Sequence, residues 1–201
     1  MELNRKFCCF VVRQTVIAFW LIPAEPARSL FQGIINDLAR RFDAPVFEPH
    51  MTIDVGTDHA DLAKKALEQV ARECTEISLT PVGIGQSEEF VKTLFVQFES
   101  NAELRQMNEL IRQSADDSLK YEVKPHLSLL YKKMEAAARR QLASSIIVPF
   151  AEITFDRIKT VRCVSPTESR ADVEAWRLVA AIELSSFRAK RSGVEESRGL
   201  T

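Results

Sequence analysis

The chain of 201 residues carries 27 basic and 28 acidic side chains, a net charge of −1, and 46% hydrophobic residues. That length suits one domain, or two small lobes sharing a core, and it folds without a metal or disulfide staple. The balanced charge supplies no global field for a long polyanion, which excludes a binder of duplex DNA and leaves room for a small ligand held by local contacts.

Residues 1–14 read as an N-terminal extension. Phe7 to Val12 is apolar, but it is too short to span a bilayer and lacks a small-residue cleavage site. The expectation is a cytoplasmic, monomeric protein with no membrane partner. Cys8, Cys9, Cys74 and Cys163 form no C-x-x-C pair or Cys/His cluster, so free thiols are expected and no metal site.

Thr15 to Ile22 is rich in β-branched and aromatic residues and is closed by Pro23, which predicts a strand. Pro26 suits a first helical turn, and Leu30, Phe31, Ile34, Ile35, Leu38 and Phe42 follow at helical spacing. A second strand is expected around Pro49 to Val55. Thr57 or Asp58 then caps a helix running to about Cys74, and Ile77 to Ile84 reads as a strand. The order recurs with a strand at Val91 to Phe98, a helix from Asn101 or Ala102 to Ser114, and a strand at Tyr121 to Tyr131. A helix from Met134 to Ser145 and strands at Phe150 to Val164 and Val173 to Leu184 complete a domain over 15–185. The charged, aperiodic residues 186–201 read as a disordered tail.

The recurrence has one fixed offset of 76 positions, read directly from the sequence. Phe19 falls on Phe95, Phe31 on Met107, Ile34 on Leu110 and Ile35 on Ile111. Pro49-His50-Met51-Thr52-Ile53 then falls on Pro125-His126-Leu127-Ser128-Leu129 without a gap. Two copies are too few for a solenoid. Two βαβ-type lobes related by a pseudo-twofold axis fit better, and such an axis brings the equivalent segments together.

Residues i and i+2 of a strand share a face. His50 with Thr52, and His126 with Ser128, therefore form polar faces backed by Met51, Ile53, Leu127 and Leu129. Two imidazoles and two hydroxyls around one small volume suit in-line displacement at phosphorus. One neutral imidazole takes a proton from water while the other, as imidazolium, protonates the leaving oxygen, since histidine holds both forms near neutrality. The hydroxyls donate to the non-bridging oxygens. His59, beside Thr57, Asp58 and Asp61, reads instead as an exposed residue at a helix start. Lys124 either faces the phosphate or is solvated.

With these motifs, "FEPHMTIDVG" and "KPHLSLLYKK", the sequence resembles the 2H phosphoesterase superfamily, whose signature is a pair of H-x-[ST]-x motifs. The segments "VIAFWLIP", "RRFDAPVFEPH" and "KTLFVQFE" resemble its cyclic phosphodiesterase branch. The resemblance implies an α+β fold of bilobal, duplicated βαβ-type lobes with antiparallel sheets facing a central cleft. It also implies hydrolysis of nucleoside 2′,3′-cyclic phosphates, or of ADP-ribose 1″,2″-cyclic phosphate, with no metal or other cofactor. His50 and His126 would be the acid–base pair, in either order, with Thr52 and Ser128 on the phosphate. Trp20 and Tyr131 match positions where the family places aromatic residues near the nucleoside, although Trp20 also reads as a core residue of the first strand. Tyr131 reaches the cleft only where its strand ends or bulges, and Lys132 and Lys133 stand where the family often has glycine. Processing of RNA ends or cleavage of 2′,5′-linked oligonucleotides is the alternative within the family. A nucleotide-binding module without turnover is the alternative outside it, disfavoured by two intact motifs.

Overall fold

The structure, a computed structural model, describes residues 13–115 and 121–186. Residues 1–12 of the extension, with Cys8 and Cys9, and 187–201 of the tail lie outside the described residues. Strands β1 (Gln14–Pro23), β2 (Met51–Thr57), β3 (Ile77–Leu79), β4 (Pro81–Gln86), β5 (Leu94–Phe98), β6 (His126–Leu130), β7 (Ile153–Ser165) and β8 (Arg177–Glu183) build one sheet. Its order is β3-β7-β1-β2-β6-β5-β4, with β8 pairing β7, and its pairings are antiparallel. Helices α1 (Ala27–Phe42), α2 (Ala60–Glu73), α3 (Ala102–Ala115), α4 (Ala136–Ser145) and α5 (Arg170–Glu174) complete the described residues. The expected duplication is present: β1-α1-β2-α2 and β5-α3-β6-α4 repeat in order. The two halves are not separate sheets, however. They fuse where β2 meets β6 at the single pair Met51↔Leu127.

The residue patterns explain the elements. The α1 stripe buries Phe31, Ile35 and Leu38, with Ile34 and Phe42 packed at its margin. The helix ends at Asp43, whose left-handed backbone (φ 47°) turns the following Ala44 N–H back to the Ala39 carbonyl at 3.0 Å. Asp adopts that region more readily than most side chains. In the motif strands the alternation is strict. Met51, Ile53, Leu127 and Leu129 are fully buried in the apolar core beneath the sheet, so truncating Leu129 to Ala would cost about 2–5 kcal/mol.

Several expected boundaries move, each for a local reason. Neither Thr57 nor Asp58 caps α2: pairing of Val16 with Thr57 extends β2, Asp58 binds Arg162 Nε at 2.7 Å, and exposed His59 takes the N-cap position. The expected strand at 77–84 is two strands, because β3 pairs β7 while β4 pairs β5 at the far edge. Val91 falls in a 3₁₀ turn (Phe90–Lys92) ahead of β5. β6 begins only at His126, since Pro125 lacks the N–H a ladder needs. Val173 belongs to α5, not to a strand. There Ser169 accepts from the Asp172 N–H and the Asp172 carboxylate accepts from the Ser169 N–H, a capping box, and Arg13 pairs with the same carboxylate. No helix among the described residues is long and apolar enough to cross a membrane.

Candidate active site

Each motif histidine stands at the start of a central strand, directly after a proline. In both cases the ring is held the same way: His50 Nδ1–H donates to the Glu48 carbonyl and His126 Nδ1–H to the Lys124 carbonyl, each at 2.6 Å. A carbonyl only accepts, so the proton of the neutral ring is assigned to Nδ1 and the lone pair to Nε2. Fusion of β2 to β6 then brings both rings to one cleft of about 490 Å³, which Thr52, Ser128, Trp20 and Tyr131 also line. The sequence-nominated site residues therefore converge.

The two histidines sit in different surroundings. His50 is 6% exposed. Trp20 stacks on its face, with centroids 3.7 Å apart and planes 14° off parallel, and Phe47 and Trp176 meet it edge-on at 6.1 and 5.8 Å. Burial among these rings pulls its pKa down to about 4, only partly opposed by the Glu48 carbonyl and reinforced by the nearby His126 and Lys159 charges. His126 is half-buried and, among the described residues, meets only the Phe95 ring, at 5.4 Å. Burial lowers its pKa too, with the Lys124 carbonyl and Glu89 favouring the charged form and Lys92 opposing it.

The hydroxyls differ as well. Thr52 lines the cleft with no hydrogen bond among the described residues. Ser128 donates to the Val91 carbonyl at 2.8 Å, and burial raises the pKa of the nearby Tyr131 hydroxyl. Because β6 ends at Leu130, Tyr131 leaves the strand alternation and turns to the cleft wall. There it stacks on Phe47 at 3.9 Å and 11°. Trp20 and Tyr131 are only 5% and 4% exposed, so their rings brace His50 and Phe47 instead of offering an open face. Lys124 lines the cleft but keeps its ammonium largely in water, paired with Glu122 at 3.2 Å.

Two features escape a reading of the sequence. The Lys159 ammonium binds both Glu48 carboxylate oxygens at 2.7 and 2.6 Å, bracing the residue whose carbonyl holds His50. The partners are 111 positions apart, and no local pattern announces them. Trp176 contacts Trp20 at 5.0 Å and Tyr131 at 6.0 Å as well as His50, and its buried Nε1 has no partner among the described residues. Its one available signal was the Ser169-x-x-Asp172 capping pattern, which opens the short helix that ends just before it. Cys163 carries a free thiol. Cys163 lines the cleft, but burial lifts its thiol to about 11, which leaves it protonated and a weak nucleophile. Among the described residues no three His, Cys, Asp or Glu side chains converge as a metal site.

The family model for cyclic phosphodiesterase-like protein matches residues 15–184. The cyclic phosphodiesterase of Arabidopsis thaliana is 25% identical over 177 residues, 86% of this chain and 97% of that protein. Among solved structures, E. coli LigT complexed with 3′-AMP superposes with a TM-score of 0.55 at 17% identity, covering 87% of this chain and all (100%) of that one. A protein of Thermus thermophilus gives 0.56 at 15% identity, covering 86% and 99%. These likenesses establish a shared fold.

Proposed function

The chain belongs to the cyclic phosphodiesterase-like family of 2H phosphoesterases and is a phosphodiesterase; on that footing we propose that it opens cyclic phosphate esters of ribonucleotides without a metal. The observation that carries the reading is the paired device at His50 and His126. Two rings from adjoining strands share one cleft, each with Nδ1 committed to the carbonyl two residues before it. Each Nε2 is left to exchange a proton with substrate or water.

In this reading His50 is the base. Its aromatic surroundings keep it neutral, so Nε2 takes a proton from water as the water oxygen bonds to phosphorus. His126, more open and beside Glu89, is the acid. As the P–O bond to the ribose breaks, its Nε2–H protonates the departing oxygen and a phosphomonoester results. Solvent exchange then resets both rings. Each transfer contributes roughly 10²–10⁴-fold. Thr52 donates directly to a non-bridging oxygen, and Ser128 does so by rotating away from Val91. The strain of the cyclic ester supplies part of the driving force. E. coli LigT was crystallised with 3′-AMP, which fits a small nucleotide as the ligand class here too.

The test is incubation with a nucleoside 2′,3′-cyclic phosphate in excess EDTA, followed by phosphorus NMR. Conversion to a monoester that vanishes in both His50→Ala and His126→Ala supports the reading. Intact substrate in the presence of folded wild-type protein refutes it.

A further inference from the structure

A second cavity, of about 260 Å³, lies between α3 and the segment 121–123, and it shares Tyr121 and Glu122 with the catalytic cleft. Positions 105, 108 and 112 stand three and four residues apart on α3, so they share one face of the helix. Arg105 and Arg112 line the cavity from that face. Asn108, between them, donates from Nδ2 to the Ile53 carbonyl at 2.8 Å. That bond pins the arginine-bearing face to β2, one residue from Thr52.

The positive charge lining the cavity comes from Arg105 and Arg112. Neither guanidinium has a carboxylate within ion-pair distance among the described residues. Among the described residues Arg105 makes only long bonds, 3.5 and 3.4 Å, to the Ser100 carbonyl and hydroxyl. The one acidic side chain in the lining, Glu122, is 80% exposed and faces Lys124. Planar guanidinium groups match phosphate oxygens two at a time, which a neutral or cationic ligand would not use.

We infer that this cavity is a second phosphate subsite: it holds a phosphate on the 5′ side of the nucleoside whose cyclic phosphate lies between His50 and His126. The inference rests on the proposed cyclic phosphodiesterase reading and narrows its substrate class to nucleotides that carry a further phosphate. Tyr121 is the shared wall across which such a substrate passes from cleft to groove. The preferred substrate is then either a small nucleotide with a terminal 5′-phosphate or an oligonucleotide whose last residue is cyclised.

Three substrates separate these cases: a nucleoside 2′,3′-cyclic phosphate, the same compound with a 5′-phosphate, and a dinucleotide ending in the cyclic phosphate. The expected result is kcat/KM about tenfold or more higher for at least one phosphate-bearing substrate than for the bare one. In Arg105→Gln/Arg112→Gln that preference disappears while turnover of the bare substrate is unchanged, which also shows that the variant is folded. Arg105→Lys/Arg112→Lys restores part of it, and the preferred substrate shows the steeper loss with salt. A gain confined to the 5′-phosphate identifies a small nucleotide, and a gain confined to the dinucleotide identifies an oligonucleotide end. Equal kcat/KM on all three substrates, or a preference that survives the double Gln variant, overturns the subsite. Calorimetry with a nucleoside 3′-phosphate and the matching 3′,5′-bisphosphate is a readout independent of turnover. Absent turnover with arginine-dependent tighter binding of the bisphosphate would refute the catalytic reading alone. Equal binding of the two would refute the subsite.

Discussion

Replacing His50 by Gln should flatten the acid limb of the protein's stability. In the folded chain the aromatic surroundings hold this imidazole at about 4, against an ordinary value of 6.5. Between those values the unfolded chain binds more protons than the folded one, so stability rises with pH across the window and is lost as pH falls. The full difference of 2.5 units, 6.5 minus 4, corresponds to roughly 3 kcal/mol at pH well below 4. Integrated only from pH 7 to pH 4.5, it is about 2 kcal/mol. Urea denaturation of wild type and His50→Gln at these two pH values measures it, with the m-value checked for constancy. The variant should lose about 2 kcal/mol less than wild type over the interval. Carboxylates and His126 titrate in both proteins and cancel in the comparison. Identical losses would mean that His50 is not kept neutral by its surroundings, and the assignment of His50 as base would fall with it.

The same surroundings bear on rate. Trp176→Leu removes one ring edge from His50 and admits water, so the acid limb of kcat/KM should move up toward 6.5. Trp176→Phe should move it less, and an unmoved limb would show that Trp176 has no influence on the imidazole. Thr52→Val removes a donor aimed at the phosphate and should lower kcat about 10²–10³-fold; because Thr52 has no internal partner among the described residues, the melting temperature should change little. A Cβ at Gly85 would collide with the outer edge of the Phe95 ring, which in turn lies edge-on to His126. Gly85→Ala should therefore cost about 1–3 kcal/mol and reduce kcat, with thermal unfolding and steady-state rates measured on the same sample.

Some of this molecule was legible in one dimension. Strand alternation alone decides that His50 and Thr52 share a face opposite Met51 and Ile53, because the period of two is a property of the extended backbone. The offset of 76 positions made the second motif its equivalent, and the α1 stripe followed from a 3.6-residue period. Boundaries were less legible. Where β2 ends depends on Val16 opposite Thr57, and α5 replaces the start of an expected strand because Ser169 and Asp172 close a capping box that Arg13 reinforces.

What distinguishes the two histidines was beyond the sequence altogether. Their motifs read alike, with proline before, a hydroxyl two residues on and aliphatics between. Their environments come from partners far along the chain: Trp176 and Lys159–Glu48 reach His50, while His126 has Phe95, Lys92 and Glu89. Those partners are set by sheet order and register, in which β7 lies beside β1 and β5 beside β6. A local period cannot encode that choice. The repeat determined that two equivalent imidazoles exist; only the packing of the tertiary structure made one deeply buried and the other half-buried, in different company.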